Sequence, residues 1–246
     1  MSRWQAGFIH LLISIFIVSL VAAYVIYFWY PLPLLPMANG DKLLMLIGGI
    51  DIIVGPLLTL IVYKVGKKTL KMDLTVIALL QACFLSFGLY TIFESRPVYL
   101  VATSQMLDLV FANEILTEDL KQANTDYQQF SFTHPHLVGA AMPKDAKEIS
   151  RITLSSLNGG NDLQQMPQHY VDFKIIAPTL LNNAIRLEKT SRLTEEKVQK
   201  LTLAAQGYGY QAKQVRAVIL GSSRGVATML IDAKTGQPIG AVNLKL

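Results

Sequence analysis

Three long apolar runs dominate the first third of the chain, and shorter apolar runs separated by polar, proline- and glycine-bearing stretches make up the rest. The first run, residues 8–30, reads FIHLLISIFIVSLVAAYVIYFWY. The second, 43–63, reads LLMLIGGIDIIVGPLLTLIVY, and the third, 74–92, reads LTVIALLQACFLSFGLYTI. A helix rises 1.5 Å per residue and about 20 apolar residues cross ~30 Å of hydrocarbon, so each run predicts a transmembrane helix. Pro31, Pro33 and Pro36, followed by Ala38-Asn39-Gly40-Asp41, predict a short turn between the first two spans. A cleaved signal peptide competes for the first run, with Val21-Ala22-Ala23 as a loose cleavage site. The apolar stretch continues well past that point, which favours an uncleaved helix.

Beyond Pro97 the pattern changes to that of a globular α+β domain. Residues 98–103 and 107–111 predict strands, 114–123 a short helix, and 125–142 a loop. Helices are predicted over 143–157, which starts at a proline and stops at Asn158-Gly159-Gly160, over 179–187, and over 194–206 with Thr194 as its cap. Three β-branched runs, 215–220, 226–231 and 239–244, predict an antiparallel β-meander with helices on one face. The expected fold is therefore three N-terminal transmembrane α-helices over 1–93 and a C-terminal periplasmic α+β domain over 94–246.

Charge sets the orientation. Lys64, Lys67, Lys68 and Lys71 fill the short loop after the second span, and basic loops stay cytoplasmic, so the N-terminus is expected inside and the C-terminal domain outside. Mean hydropathy is +0.38. The formal charge of +5 divides into +3 for residues 1–93, from six basic and three acidic side chains, and +2 for the remainder. The domain thus lacks the clustered basic face that a nucleic acid would require. With a single cysteine, Cys83, no intrachain disulfide can form.

Candidate chemistry is sparse. Asp51 lies at membrane depth, where a carboxylate costs roughly 2.5–3.5 kcal/mol and marks a functional candidate. Gly48, Asp51, Gly55 and Thr59 recur at spacings of three and four, a face that admits a neighbouring helix closely. Gln81 of the third span lies at comparable depth, within reach of Asp51. Packing is the favoured role; a proton or ion relay would need a second ionisable residue inside the spans, and none is expected. Gly48-Gly49-Ile50-Asp51 lacks the glycine that an intramembrane aspartic protease carries directly before its aspartate. His134, His136 and His169 offer no firm metal-ligand spacing, and no nucleophile sits in a recognisable motif. No enzyme, cofactor or metal site is expected.

The arrangement of particular residues nonetheless resembles a known family. Residues 48–64, GGIDIIVGPLLTLIVYK, then Lys71-Met72-Asp73-Leu74, Gln81, Phe87-Gly88-Leu89-Tyr90 and Arg96-Pro97-Val98-Tyr99-Leu100, are similar to the membrane half of the TfpX/TfpZ-type type IV pilin accessory proteins, FimB-like proteins among them. Asn113-Glu114-Ile115, Asp162-Leu163-Gln164 with Pro167 and Tyr170, and residues 232–236 extend the resemblance. Gln105-Met106-Leu107 departs from it, standing where the family carries an Asp-Arg-Phe-like element. The resemblance implies a bacterial inner-membrane protein that acts on one pilin, the major pilin foremost, as a chaperone or as a modulator of assembly and retraction, in contact with the bilayer and other pilus assembly proteins. The rival readings are a periplasmic ligand sensor and an ion- or proton-coupled membrane protein using Asp51.

Overall fold

The computed structural model describes residues 2–31, 34–35, 37–188 and 193–246, so Pro33 and Pro36 of the expected turn lie outside the described residues. The chain forms two compact units: residues 1–30 with 39–95, and residues 31–38 with 96–246.

The first unit contains three helices long and apolar enough to cross a membrane. Helix α1, Arg3–Tyr24, starts in a reciprocal cap between Ser2 and Gln5 and runs on through a π-helical turn, Val25–Trp29. Helix α2 spans Gly40–Val62 behind Asn39, whose positive φ of 51° makes the entry turn. Helix α3 spans Leu70–Glu94. The far ends of α1 and α3 are tied by Tyr30, a buried residue whose hydroxyl donates to the carbonyl of Ser95 at 2.8 Å. Each helix starts three to five residues before the apolar run that predicts it, because the ladder extends back through the flanking residues to the turn or cap that opens it.

Among the described residues the second unit is an eight-stranded mixed sheet with four α-helices. Its strands are β1 Pro97–Ala102, β2 Met106–Phe111, β3 His136–Ala140, β4 Tyr170–Val171, β5 Ile185–Arg186, β6 Val215–Ser222, β7 Gly225–Asp232 and β8 Pro238–Val242. The order is β4-β3-β1-β2-β6-β7-β8, with β5 also paired to β6. The expected meander is present as β6-β7-β8, in antiparallel register from Val215↔Asp232 to Ser222↔Gly225. It is half of a larger sheet in which β1 pairs with β3, and β2 with β6, in parallel.

Helices α4 Thr117–Gln122, α5 Ala146–Leu157, α6 Phe173–Asn183 and α7 Glu195–Gly207 complete the unit. All six residues of β1 are buried, so the centre of the sheet is covered on both faces, where a single covered face was expected. One apolar cluster joins β1, β2 and β3 to Ile152 of α5, Met166 and Tyr170; a second joins β6 and β7 to Leu201 and Ala205 of α7.

The stretch 125–142, expected as loop, contains β3. Its Gly139 sits where a Cβ would overlap Ile176 of α6, so this glycine serves close packing and does not break the strand. The helix expected over 179–187 starts earlier, at Phe173, behind the cap that Asp172 gives the Lys174 amide at 2.8 Å. It ends before Ile185 and Arg186, which pair with β6.

Candidate functional site

In the membrane unit the polar side chains of three helices meet on one seam. The buried residues of α2 are Gly40, Gly48, Asp51, Gly55 and Thr59, so the glycine, aspartate and threonine positions singled out above share the inward face. Their small size lets neighbouring helices come close. A Cβ on Gly48 would lie 2.8 Å from Val18 of α1, and one on Gly55 would overlap the Gln81 amide from α3. Across the α2–α3 contact Gly88 plays the reciprocal part, with Ile47 at 2.8 Å.

Gln81 is thereby held at the centre. Its amide nitrogen donates to the backbone carbonyl of Asp51 at 3.1 Å, so its oxygen must face the other way, where His10 Nε2 lies at 2.7 Å. An amide oxygen only accepts, so the Nε2 position of His10 carries the proton. The other ring nitrogen, Nδ1, is 2.5 Å from the hydroxyl of Thr59, which donates to it in the neutral imidazole. The result is one directed chain, Thr59 to His10 to Gln81 to the Asp51 carbonyl, that links α1, α2 and α3.

His10 corrects the expectation that no second ionisable side chain lies inside the spans. The signal was available, since it is the third residue of the first apolar run; the surrounding FIHLLISIF masks it by length and hydropathy. The same face of α1 carries Ser14, which is also buried.

Asp51 is placed differently from what its sequence partners imply. Gln81 reaches its backbone carbonyl, while both carboxyl oxygens are buried without a hydrogen-bond partner among the described residues. The carboxyl lines a cavity of about 230 Å³ between α1 and α3, together with His10, Ser14 and Gln81. The four lysines of the 64–71 segment are exposed, and Lys67 pairs with Asp73 at 2.7 Å.

The second unit gathers several of the resembling motifs into one polar knot. Glu114 accepts from the Phe111 amide at 2.9 Å and, through its carbonyl, from Asn161 at 3.0 Å. Asp162 accepts from the Leu163 amide at 2.7 Å, and Gln164 donates to Asp108 at 3.0 Å. The Tyr170 hydroxyl donates to the Gln164 carbonyl at 2.5 Å. Burial pushes the Asp108 carboxyl up to about 6, against the opposing hydrogen bond from Gln164, with Asp162 and Glu114 nearby adding to the rise. Burial likewise raises Tyr99 to about 12. The result is a half-buried hydrogen-bond network that ties β2 to the 161–170 segment.

The histidines of this unit do not converge. His136 opens β3, and His169 contacts Glu148 at 3.1 Å, whose carboxyl Arg151 holds down at about 2 through a paired hydrogen bond. Among the described residues no three histidine, cysteine or acidic side chains gather in a metal-binding group. At the β6–β7 turn, Arg224 lies over the Phe111 ring at 3.6 Å and donates to the Ala38 carbonyl at 2.9 Å. Ser222 donates to the Met37 carbonyl, so this turn fixes the segment that leads into α2.

Comparison with known proteins adds to this geometry. The model of the fimbrial assembly protein FimB family matches residues 1–38. A fimbrial assembly protein of serogroup E1 from Dichelobacter nodosus is 30% identical over 240 residues, covering 96% of this chain and 93% of the relative. The serogroup I protein of that organism is 30% identical over 167 residues, 67% of this chain and 65% of the relative. That of serogroups C1 and C2 is 33% identical over 117 residues, 47% and 89% respectively. No solved structure matches.

Proposed function

The chain belongs to the FimB family of fimbrial assembly proteins, and from that premise we propose that it assists type IV pilus assembly by handling one specific pilin, as a dedicated chaperone or as a modulator of assembly and retraction. The observation that carries this reading is the 30% identity that runs through 96% of the chain to a protein named for fimbrial assembly. The role is one of binding and release. A pilin is an apolar membrane helix bearing a globular head, and a protein with three membrane-length helices and a folded α+β unit offers a surface for each part.

The proposed location is the bacterial inner membrane, with the N-terminus in the cytoplasm and residues 94–246 in the periplasm. Support comes from the exposed lysines at positions 64, 67 and 68, in the short connection between α2 and α3, and at position 71 in the first turn of α3. Deletion of the gene tests the function: surface pili and twitching should fall while the core assembly machinery stays intact, and one pilin should co-purify with the chain from membranes. Unchanged pilus number and retraction in the deletion strain would refute it.

A further inference from the structure

The buried Asp51 carboxyl lacks a partner inside its own bundle. It sits at the midpoint of α2, with both oxygens shielded and unpaired among the described residues. None of the polar side chains that border the same cavity, His10, Ser14 and Gln81, bonds either carboxyl oxygen. The Gln81 amide serves the Asp51 carbonyl and His10, and His10 spends both ring nitrogens on Thr59 and Gln81. No lysine or arginine lies within the apolar runs of the three spans. A carboxyl in hydrocarbon without a donor is strongly disfavoured, so whatever fills the cavity in front of it must supply one.

The shape of the surroundings says what that is. Helices α1 and α3 both pack on α2, and the space between them holds two cavities in line. The one at Asp51, about 230 Å³, is bordered by Ile17 and Ala82; the next, about 540 Å³, is bordered by Leu20, Tyr24, Tyr90 and Phe93. The lining positions on α3 run from Ala78 to Phe93, about 22 Å along the helix axis. Ile17, Leu20, Tyr24 and Tyr90 are exposed, so the trough opens sideways toward lipid. Its length matches about fifteen residues of a helix, and its wall is mostly apolar away from Asp51 and the polar groups beside it, with the Tyr24, Trp29 and Tyr90 rings at the far end. A lipid acyl chain could fill the volume but brings no donor.

We infer that the α1–α3 trough is the docking site for a single transmembrane helix of a client protein, one that brings a positively charged nitrogen to the Asp51 carboxyl at mid-membrane depth. This deepens the proposed function, since it rests on the reading that the client is a membrane-anchored subunit, and it assigns that subunit's helix a place.

The test uses the full chain in phosphatidylcholine vesicles, labelled at Cys83, its sole cysteine and an exposed one. The probes are two leucine-rich single-span peptides, one with a central lysine and one without, followed by energy transfer. The lysine peptide should bind about tenfold more tightly, equivalent to ~1.4 kcal/mol. Asp51→Asn should erase that preference. Ala82→Trp, at an exposed position, should fill the trough and weaken both peptides, while Ile53→Trp on the lipid-facing side of α2 should change neither. Equal binding of the two peptides, or a preference that survives Asp51→Asn, overturns the inference.

A second arm follows co-purification of the pilin from cell membranes. If the lysine peptide behaves as expected but no pilin co-purifies with the wild-type chain, the trough stands and the proposed function fails. If pilin is retained equally by wild type, Asp51→Asn and Ala82→Trp, the function stands and the trough is not its site.

Discussion

Gly55 and Gln81 show how one missing methyl group organises a membrane helix bundle. Any Cβ at position 55 would occupy the space of the Gln81 amide, which is the flexible end of a side chain and can withdraw. Gly55→Ala should therefore leave the helices together but break both hydrogen bonds of Gln81. Interhelical hydrogen bonds in bilayers average about 0.6 kcal/mol and reach about 1.7, so a loss in that range is expected in unfolding of the detergent-solubilised protein. Gln81→Leu should lose a similar amount. The double variant should be little worse than either single one, since both remove the same link; additive losses would mean that the two residues act separately. Asp108 gives a second test at this scale, with the opposite sign from an ion-paired carboxylate. Its folded pKa of about 6 lies above the ordinary value, so the folded state holds the proton more tightly, and stability falls as pH rises from about 4 to about 6. Above that window the destabilisation is constant. Asp108→Asn should flatten the dependence and stabilise the protein at pH 7 by ~1–2 kcal/mol, less than the full shift implies because the side chain is only partly shielded from water. A denaturation midpoint that keeps its slope between pH 4 and 6 in the variant would place the titration elsewhere.

Elements were legible in the sequence where local chemistry alone defines them. The α7 helix follows its signals closely: Thr194 accepts from the Lys197 amide at 3.4 Å, Glu195 and Glu196 occupy the first turn, and Leu201 and Ala205 form the buried stripe. The spans were equally readable, because a membrane-length apolar run has few competing explanations. What escaped were β3, β4 and β5, whose short lengths make sense only through partners distant in the chain: β3 adds in parallel to β1, and β5 reaches β6 some 30 residues later. Proline misled as well. Pro178 stands inside α6, within the first turns from Phe173, while the sequence reading began the helix after it. The membrane seam was half legible: the spacing of Gly48, Asp51, Gly55 and Thr59 marks a face, but the partner His10 comes from another span and no local spacing reveals it. Energetics follow the same division. Leu201→Ala should cost ~2–5 kcal/mol, as expected of a fully buried leucine, whereas Thr194→Ala should cost only about 1 kcal/mol through loss of the cap. Chemical denaturation of both variants compares them directly; equal effects would mean that α7 is held by its cap more than by its core.

At the scale of the whole molecule, the division of labour between the two units can be separated by experiment. The fragment 94–246 carries the sheet, both apolar clusters and the polar knot around Asp108 and Gln164, and it should fold alone as a monomer indifferent to reducing agent. It lacks Leu34, Met37 and Ala38, which are buried in the same compact unit, the carbonyls of the last two held by Ser222 and Arg224. A stability below that of the same unit in the full chain is therefore expected; aggregation of the fragment would show that these residues are indispensable to its core. If the fragment folds, it also carries the proposed recognition of pilin. Apolar contact along a membrane helix adheres without discriminating finely, while shaped polar surface separates one partner from another. On the proposed reading the trough should grip many client helices, and the unit carrying residues 96–246 should choose among them. Replacing residues 94–246 by those of a relative that serves another pilin should then switch which pilin is rescued in a deletion strain, measured as surface pili. Selectivity that travels with residues 1–93 would move the choice into the bundle, and with it to the helix that meets Asp51.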